Sequence, residues 1–263
     1  MSDRKPFTVM TLNLWGSNHW LERRAEVLAW ISEEQPDVIA LQEVERGADG
    51  QLEWLTAQTG MHHAFAGARR AGGPEFGNAL LSRFVIESYD SLELPLLDRD
   101  LERRFALRAR IATPDGLTNV YSTHLSHLFV DGLVREAQVV ALADWIDVHA
   151  TGVLPTILCG DLNAMPDSAE VRFLKGRQSL GGRSFHLFDA LEMCGNEAPT
   201  WSNRNHWAAL ERLPDQLIDY IFVGVRHSDT GAGQVLCANL VCDLDRTGVF
   251  ASDHFGVTAN LYW

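Results

Sequence analysis

Two segments of the chain share one pattern of apolar and polar positions. The first opens with the run Phe7–Leu14 and the second with Leu117–Leu125. Nearly continuous apolar runs of this length are typical of strands that are buried on both faces. A stretch with helical spacing follows each run, and a second apolar run closes each unit at Val44 and Asn163. The pattern predicts two similar strand–helix–strand units.

The helical stretches have recognisable ends. The first covers Trp20–Ser32 and stops before Pro36, since proline cannot continue a helix. The second begins after Asp131. Asn18 and Asp131 are predicted to be the N-caps, because short polar side chains accept hydrogen bonds from the free N–H groups of a first turn.

Shorter apolar or alternating runs predict further strands, at Asn78–Ser82, Phe105–Ile111, Leu217–Val223 and Gly256–Trp263. Combined with the two units, they predict an α/β fold with mixed sheets and outer helices, in which two sheets lie between helical layers. No linker rich in proline or serine divides the chain, so we expect a single domain over residues 1–263.

Polar side chains interrupt the apolar runs, mostly near strand ends. They are Asn13, Glu43, His124, Asp161, Asn163, Asp219, Asp253 and His254. Each has a structural explanation when taken alone, such as a turn, a core histidine or an ion pair. A buried carboxylate without a partner costs several kcal/mol, however, and open α/β sheets bind ligands at strand ends. The set offers hard oxygen ligands without a thiolate cluster, which favours Mg²⁺ or Mn²⁺ over zinc.

Four motifs carry a family resemblance. They are TLNLWG at 11–16, LQEV at 41–44, GDLNAMPDS at 160–168 and SDHFGV at 252–257. In this order they resemble the endonuclease/exonuclease/phosphatase superfamily, which is DNase I-like and includes deoxyribonucleases, apurinic endonucleases, inositol polyphosphate phosphatases, neutral sphingomyelinases and deadenylases. The resemblance implies a four-layer α/β/β/α sandwich and Mg²⁺-dependent cleavage of phosphate esters.

The resemblance also implies roles for individual residues. Glu43 resembles the principal metal ligand, supported by Asn13 and Asp253. Asp161 resembles the residue that activates or orients the attacking water, with Asn163 beside it holding that water or a phosphate oxygen.

Two histidines complete the implied site. His124 resembles a phosphate-contacting histidine, and His254 the histidine at the scissile phosphate, oriented by Asp219. A carboxylate partner favours the protonated imidazole, which suits a phosphate clamp better than a general base. The sequence leaves both roles open for His254, and it leaves open whether one or two metal ions bind.

Other residues are weaker candidates for substrate contacts. Arg104 opens a predicted strand and is preferred over Arg103 as a phosphate-binding residue, with surface solvation as the alternative. His127 belongs either to the pocket rim or to a solvated loop. Trp201, with Trp207 nearby, either stacks on a base, sugar or head group or anchors its loop by packing.

Charge narrows the choice of substrate. The chain has 35 acidic against 22 basic residues and a net charge of −13, which disfavours extended capture of duplex nucleic acid without excluding a local cationic pocket. No apolar run approaches the roughly 20 residues of a membrane span. The start of the sequence lacks an apolar signal-peptide core, and the cysteines are scattered, so we expect a cytoplasmic protein with reduced thiols.

Three functional hypotheses remain. The leading one is a metal-dependent phosphoesterase that acts on a small or single-stranded phosphoester, such as a phosphorylated metabolite, a lipid head group or a nucleotide end. The second is a DNA or RNA nuclease. The third is a catalytically silent binding module, which the retention of every motif residue disfavours.

Overall fold

The computed structural model describes residues 5–48, 50–69, 73–96, 103–150, 153–246 and 248–263. The strands in this range are β1 Phe7–Asn13, β2 Val38–Arg46, β3 His62–Arg69, β4 Glu75–Ser82, β5 Ile86–Glu93, β6 Phe105–Thr113, β7 Gly116–His124, β8 Leu154–Asp161, β9 Phe188–Asp189, β10 Asp219–Val223, β11 Gln234–Val241 and β12 Gly256–Tyr262. The helices are α1 Trp20–Glu34, α2 Gln51–Thr59, α3 Gly132–Val148, α4 Ala169–Leu174 and α5 Ala190–Cys194, with a 3₁₀ turn at Ala208–Glu211.

These strands form two mixed sheets of six strands each. The first has the order β11-β12-β1-β2-β4-β3 and the second the order β5-β6-β7-β8-β10-β9. Strands β1 and β2 pair in parallel across α1, and β7 and β8 pair in parallel across α3. The two predicted strand–helix–strand units are therefore confirmed, one in the centre of each sheet.

Alternation along the central strands builds the layers. In β1, Met10 and Leu12 pack in a core cluster with α1 and α2, whereas Val9 faces the other way. Val9 joins a larger core that includes Leu107 from the second sheet and Leu142 from α3. The sheets thus pack face to face with helices outside, as the predicted α/β/β/α sandwich requires.

One edge of the sandwich gathers the polar strand ends. The parallel strands β1, β2, β7 and β8 run toward this edge, and the antiparallel strands β10 and β12 start from it. The register pairs Asp219, the first residue of β10, with Asp161, the last residue of β8. Strand pairing alone therefore brings distant motifs to one place.

The predicted helix caps are wrong in detail. Residue His19, not Asn18, occupies the N-cap of α1 with φ 50°, and it makes no side-chain cap. Asp131 does occupy the N-cap of α3, but its carboxylate accepts from Ser126 Oγ at 2.7 Å instead of capping. In both loops the polar side chain bonds within its own loop instead of to the first helical turn: Asn18 Nδ2 donates to Trp15 O, and Asp131 accepts from Ser126.

Within the described part of the chain, no helix combines the length and the apolar character that crossing a membrane requires.

Candidate active site

The Asp161 carboxylate is the centre of the site, although it is only 1% exposed. Its Oδ2 accepts from Asn13 Nδ2 at 3.0 Å and lies 3.4 Å from His124 Nε2 and 3.8 Å from His254 Nε2. Its Oδ1 accepts from the Asn163 N–H at 2.9 Å, within the turn that follows β8. The two sheets therefore converge on one carboxylate.

Burial makes this carboxylate hard to ionise. Desolvation, reinforced by repulsion from Asp219, raises the pKa of Asp161 to about 7. The attraction of His254 and the hydrogen bonds from Asn163 and Asn13 oppose that rise only in part. In the protein alone, Asp161 therefore exchanges its proton near neutral pH, as a group that handles the proton of a water molecule must.

Glu43 reaches the site through a β-bulge. The register of β2 against β4 shifts between Leu41 and Val44, and Glu43 has φ 55°. The half-buried carboxylate accepts from Asn13 Nδ2 at 3.2 Å, so this amide bridges Glu43 and Asp161. The bulge turns the side chain toward the site edge, as bulges near functional sites often do.

Asn13 lies at the site, but in an orientation the sequence did not indicate. Its Oδ1 accepts from the Trp15 N–H at 2.9 Å, and its Nδ2 faces the two carboxylates. A metal ligand would need to present the oxygen. In this arrangement Asn13 bridges the two carboxylates, and its expected place among the metal ligands stays a prediction.

Asp253 belongs to the same charged region. Burial raises the pKa of Asp253 to about 6, and Glu43 adds repulsion to this rise, while His254 and Ser252 oppose it. The repulsion between Asp253 and Glu43 is one that a bound divalent cation would relieve.

His254 and Asp219 form a buried ion pair. The His254 Nδ1 lies 2.8 Å from Asp219 Oδ2, and Asp219 is fully buried. Burial acts against the charge of His254, yet the charge and hydrogen bond of Asp219 outweigh it and raise the pKa of His254 well above its usual value. We conclude that His254 is an imidazolium with its Nε2–H directed toward Asp161.

His124 is the opposite case. Burial, together with the charge of Arg104, lowers the pKa of His124 well below its usual value. Arg104 Nη1 lies 3.0 Å from His124 Nδ1, and since a guanidinium can only donate, Nδ1 must accept. The neutral ring then carries its proton on Nε2, toward Asp161. Arg104 Nη2 also contacts His127 Nδ1 at 3.0 Å, which places His127 at the rim.

The acidic groups of the site form a cluster of possible metal ligands. In the described residues, ligand atoms of Asp161, Asp219 and His254 lie within 4.8 Å of one another. His254 and Asp219 already bind each other, however, so we assign these two to proton and phosphate chemistry. Glu43 and Asp253 supply hard oxygens beside them, and Asp219 Oδ1 is buried with no hydrogen-bond partner in the described part of the chain. The donor set fits Mg²⁺ or Mn²⁺.

The weaker candidates differ in their exposure, and Trp201 forms an isolated β-bridge with His254 beside the site. Trp201 is 6% exposed and packs in a small cluster with Ala208 and Ile218, so it offers no open face to a base or head group. Its role is to anchor the loop, which corrects the stacking interpretation. Arg103 lies on the surface and pairs with Glu93, whereas Arg104 is buried in a small pocket beside Glu43 and His124.

Two buried arginines, Arg23 and Arg135, contact the loops that carry the site. Sequence reasoning missed both of them. The only available signal was the matching position that each occupies in its strand–helix–strand unit.

Comparison with known proteins places this geometry in a family. The model of the Endonuclease/Exonuclease/phosphatase family matches residues 10–254. Protein angel homolog 2 of Danio rerio is 29% identical over 174 residues, which is 60% of this chain and 30% of that protein. The protein YbhP of Escherichia coli is 30% identical over 173 residues, 60% of this chain and 66% of that protein. The matched segments thus span less than two thirds of both relatives.

Solved structures share the fold. An endonuclease/exonuclease/phosphatase from Bacteroides vulgatus superposes with a TM-score of 0.77 at 17% identity and covers 98% of this chain and 99% of its own. TDP2 of Caenorhabditis elegans gives 0.76 at 19% identity, with 98% and 97% covered. The human Nocturnin catalytic domain with bound sulfate gives 0.71 at 18% identity, with 98% and 94% covered. The family match runs from Met10 to His254, so this chain belongs to the Endonuclease/Exonuclease/phosphatase family.

Proposed function

We propose that this chain is a Mg²⁺-dependent phosphoesterase that hydrolyses its substrate by attack of water at the Asp161 centre. The observation that carries the proposal is one buried carboxylate, its pKa raised to about 7, between a charged and a neutral histidine. Such an arrangement can take a proton on one side and stabilise phosphoryl oxygens on the other.

Glu43 and Asp253 are the residues that would hold the metal. A bound divalent ion would neutralise phosphate charge and acidify a water molecule. Asn13 keeps Glu43 and Asp161 at a fixed separation by donating to both. We retain Mn²⁺ as the alternative ion, because oxygen ligands suit both cations.

The remaining residues act directly on water and phosphate. Ionised Asp161 accepts the proton of the attacking water, and the Asn163 N–H keeps the Asp161 carboxylate oriented. The imidazolium of His254, held by Asp219, offers its Nε2–H to a phosphoryl oxygen or to the leaving oxygen. Arg104, in the pocket with His124, contributes a fixed positive charge for a second phosphate oxygen.

The favoured substrates are small: a phosphorylated metabolite, a lipid head group or a nucleotide end. A net charge of −13 supports this choice over extended binding of a nucleic acid duplex. We further propose one domain over residues 1–263, supported by the core cluster that spans both sheets. The four cysteines, all free of disulfides, support a cytoplasmic location.

A substrate panel tests this function. Purified protein is assayed with Mg²⁺ against a chromogenic phosphodiester, a phosphomonoester, a short single strand and a supercoiled plasmid. We expect turnover of the small substrates that EDTA abolishes and that Asp161→Ala lowers by about 10³-fold or more. Asp229→Ala is the matched control, because Asp229 is exposed in the loop after β10, away from the site edge.

Two outcomes overturn parts of the proposal. If plasmid nicking dominates and depends on Asp161, the protein is a nuclease and the small-substrate choice is wrong. If wild type turns over none of the four substrate classes with either metal, the phosphoesterase proposal fails and a silent binding module takes its place.

A further inference from the structure

Each strand–helix–strand unit has a buried arginine at the same helical position. Arg23 is the fourth residue of α1, and Arg135 is the fourth residue of α3. They are 0% and 7% exposed. Burial of a guanidinium is unfavourable unless its N–H groups form hydrogen bonds. The hydrogen-bond partners of each arginine therefore indicate its role.

Arg23 gathers the carbonyls of the loop that follows β1. Its Nε donates to Asn18 O at 2.8 Å, and its Nη2 donates to Leu14 O at 2.9 Å and to Gly16 O at 3.2 Å. Its Nη1 donates to Ala251 O, next to the Ser-Asp-His motif. One side chain thus ties the loop after Asn13 to the loop that carries Asp253.

Arg135 does the same for the loop that follows β7. Its Nη1 donates to Ser126 O at 3.1 Å and to Leu128 O at 2.8 Å. Its Nε donates to Glu170 Oε1 at 2.8 Å, in the first turn of α4. It therefore ties the loop after His124 to the segment that follows Asp161.

The two arginines differ in their charge partners. Arg135 pairs with Glu170, whereas Arg23 has no carboxylate within ion-pair distance among the described residues and bonds only to carbonyls. Burial lowers the pKa of Arg23 to about 10, although the negative charges of Asp253 and Glu43 act to raise it. Through its carbonyl partners Arg23 consequently acts on the half of the site next to Asn13 and Asp253, and Arg135 on the half next to His124.

We propose that Arg23 and Arg135 are paired positioning residues, one for each half of the site: Arg23 fixes the loops that hold the metal, and Arg135 fixes the loops that hold the phosphate. The assignment of metal and phosphate to these halves rests on the proposed function. The pairing itself rests on the matching helical position and on the two sets of loop carbonyls.

Lysine substitutions separate the two roles, since an ammonium keeps the charge but cannot span several carbonyls. We expect Arg23→Lys to raise the Kd for Mg²⁺ about 10-fold or more, as loss of an outer-shell contact does in other metal sites. Inorganic phosphate should then bind to metal-saturated protein with its Kd unchanged. Arg135→Lys should show the reverse pattern, with weaker phosphate binding and an unchanged Kd for Mg²⁺.

Isothermal calorimetry measures both constants on the full chain, and thermal unfolding is recorded in EDTA. Arg24→Lys is the matched control, because Arg24 lies next to Arg23 on α1 but stacks on Trp54. If both variants lower the unfolding temperature and neither Kd changes, the arginines are structural only. If each variant weakens both ligands equally, the two halves are not separate.

Hydrogen exchange on wild-type protein gives a test that needs no variant. Mg²⁺ should slow exchange more in residues 14–19 and 251–254, and phosphate more in residues 125–131; equal protection contradicts the pairing. A wild type that binds no Mg²⁺ would overturn the proposed function. A wild type that binds both ligands while the variants do not separate would overturn only the paired roles.

Discussion

At the scale of single residues, the site contains ionisable side chains whose burial in the charged form destabilises the fold. Asp161 is desolvated, and its raised pKa means that the folded protein retains a proton that the unfolded chain releases. Between about pH 4 and pH 7 the contribution of Asp161 to the stability of the metal-free protein therefore falls as the pH rises. The residue most central to the chemistry destabilises the fold at the pH where it is ionised.

Removing this charge should stabilise the protein. We expect Asp161→Asn to increase the free energy of unfolding by about 2 kcal/mol at pH 8 in EDTA. The shift of about three pKa units limits the gain to about 4 kcal/mol. The loss of a hydrogen bond offsets part of this gain. At pH 4 the gain should vanish. Urea unfolding at both pH values measures this, with Asp229→Asn as control; a loss of stability at pH 8 contradicts it.

Residue identities were predictable from sequence, but residue states were not. Glu43, Asp161 and Asp219 stand out in the sequence because they are polar residues at the ends of apolar, strand-like runs. The neutral state of His124 depends on its burial and on the charge of Arg104, which directly precedes β6. Likewise, the amide of Asn13 is oriented by Trp15 and two distant carboxylates. Contacts of this kind have no local signature.

At the scale of elements, the spacing of two parallel strands sets the site. Gly160 precedes Asp161 in β8 with φ 153°, and a Cβ there would lie 2.0 Å from Thr123 O in β7. Only glycine allows the two strands to approach this closely. The same approach keeps Asp161 opposite His124 in the register.

Adding one methyl group at this position should disturb both fold and site. We expect Gly160→Ala to lower the free energy of unfolding by more than about 2 kcal/mol, because the clash is with backbone, and to lower kcat at least 10-fold. Gly132→Ala, where nothing lies within 4 Å, is the control and should behave as wild type. Wild-type stability and activity in Gly160→Ala would show that β7 and β8 can move apart enough to accept a methyl group, which contradicts this prediction.

Element order and strand character followed from the hydrophobic pattern, but local irregularities did not. The apolar run that ends at Val44 predicts one uninterrupted strand, whereas the structure contains the bulge that turns Glu43 toward the site. The bulge is defined by pairing with β4, which lies beyond an intervening helix and strand. A register set by a distant partner is invisible in a window of neighbouring residues.

At the scale of the whole molecule, metal binding should be linked to folding. Glu43 and Asp253 repel each other in the protein alone, and the pKa of Asp253 is raised to about 6. Metal ligands must lose their protons, so affinity should fall as the pH drops through this range. Part of the charge imbalance of the chain is therefore concentrated where a cation can offset it.

This linkage is measurable as a shift in thermal unfolding. At pH 8, Mg²⁺ at about 100 times its Kd should add about 2.7 kcal/mol of stability. At pH 5 the same Mg²⁺ concentration should add only about half as much, because Asp253, with its pKa raised to about 6, is then about 90% protonated. Glu43→Ala should abolish the shift at both pH values. Sodium chloride at equal ionic strength is the control, and an equal Mg²⁺ effect at pH 5 and pH 8 contradicts the assignment.

The strand order also has a consequence for biosynthesis. β12 lies between β11 and β1, yet it is synthesised long after β1, whose seven residues are all buried in the finished protein. During synthesis the edge of β1 that pairs with β12 stays unpaired until β12 has been made. Unpaired apolar strand edges of this kind are prone to aggregate and are bound by chaperones. Asp253 and His254, just before β12, emerge in the same late stretch. A nascent chain therefore completes this sheet and the site in the same late stretch, and a translation product that stops before the Ser-Asp-His motif lacks both.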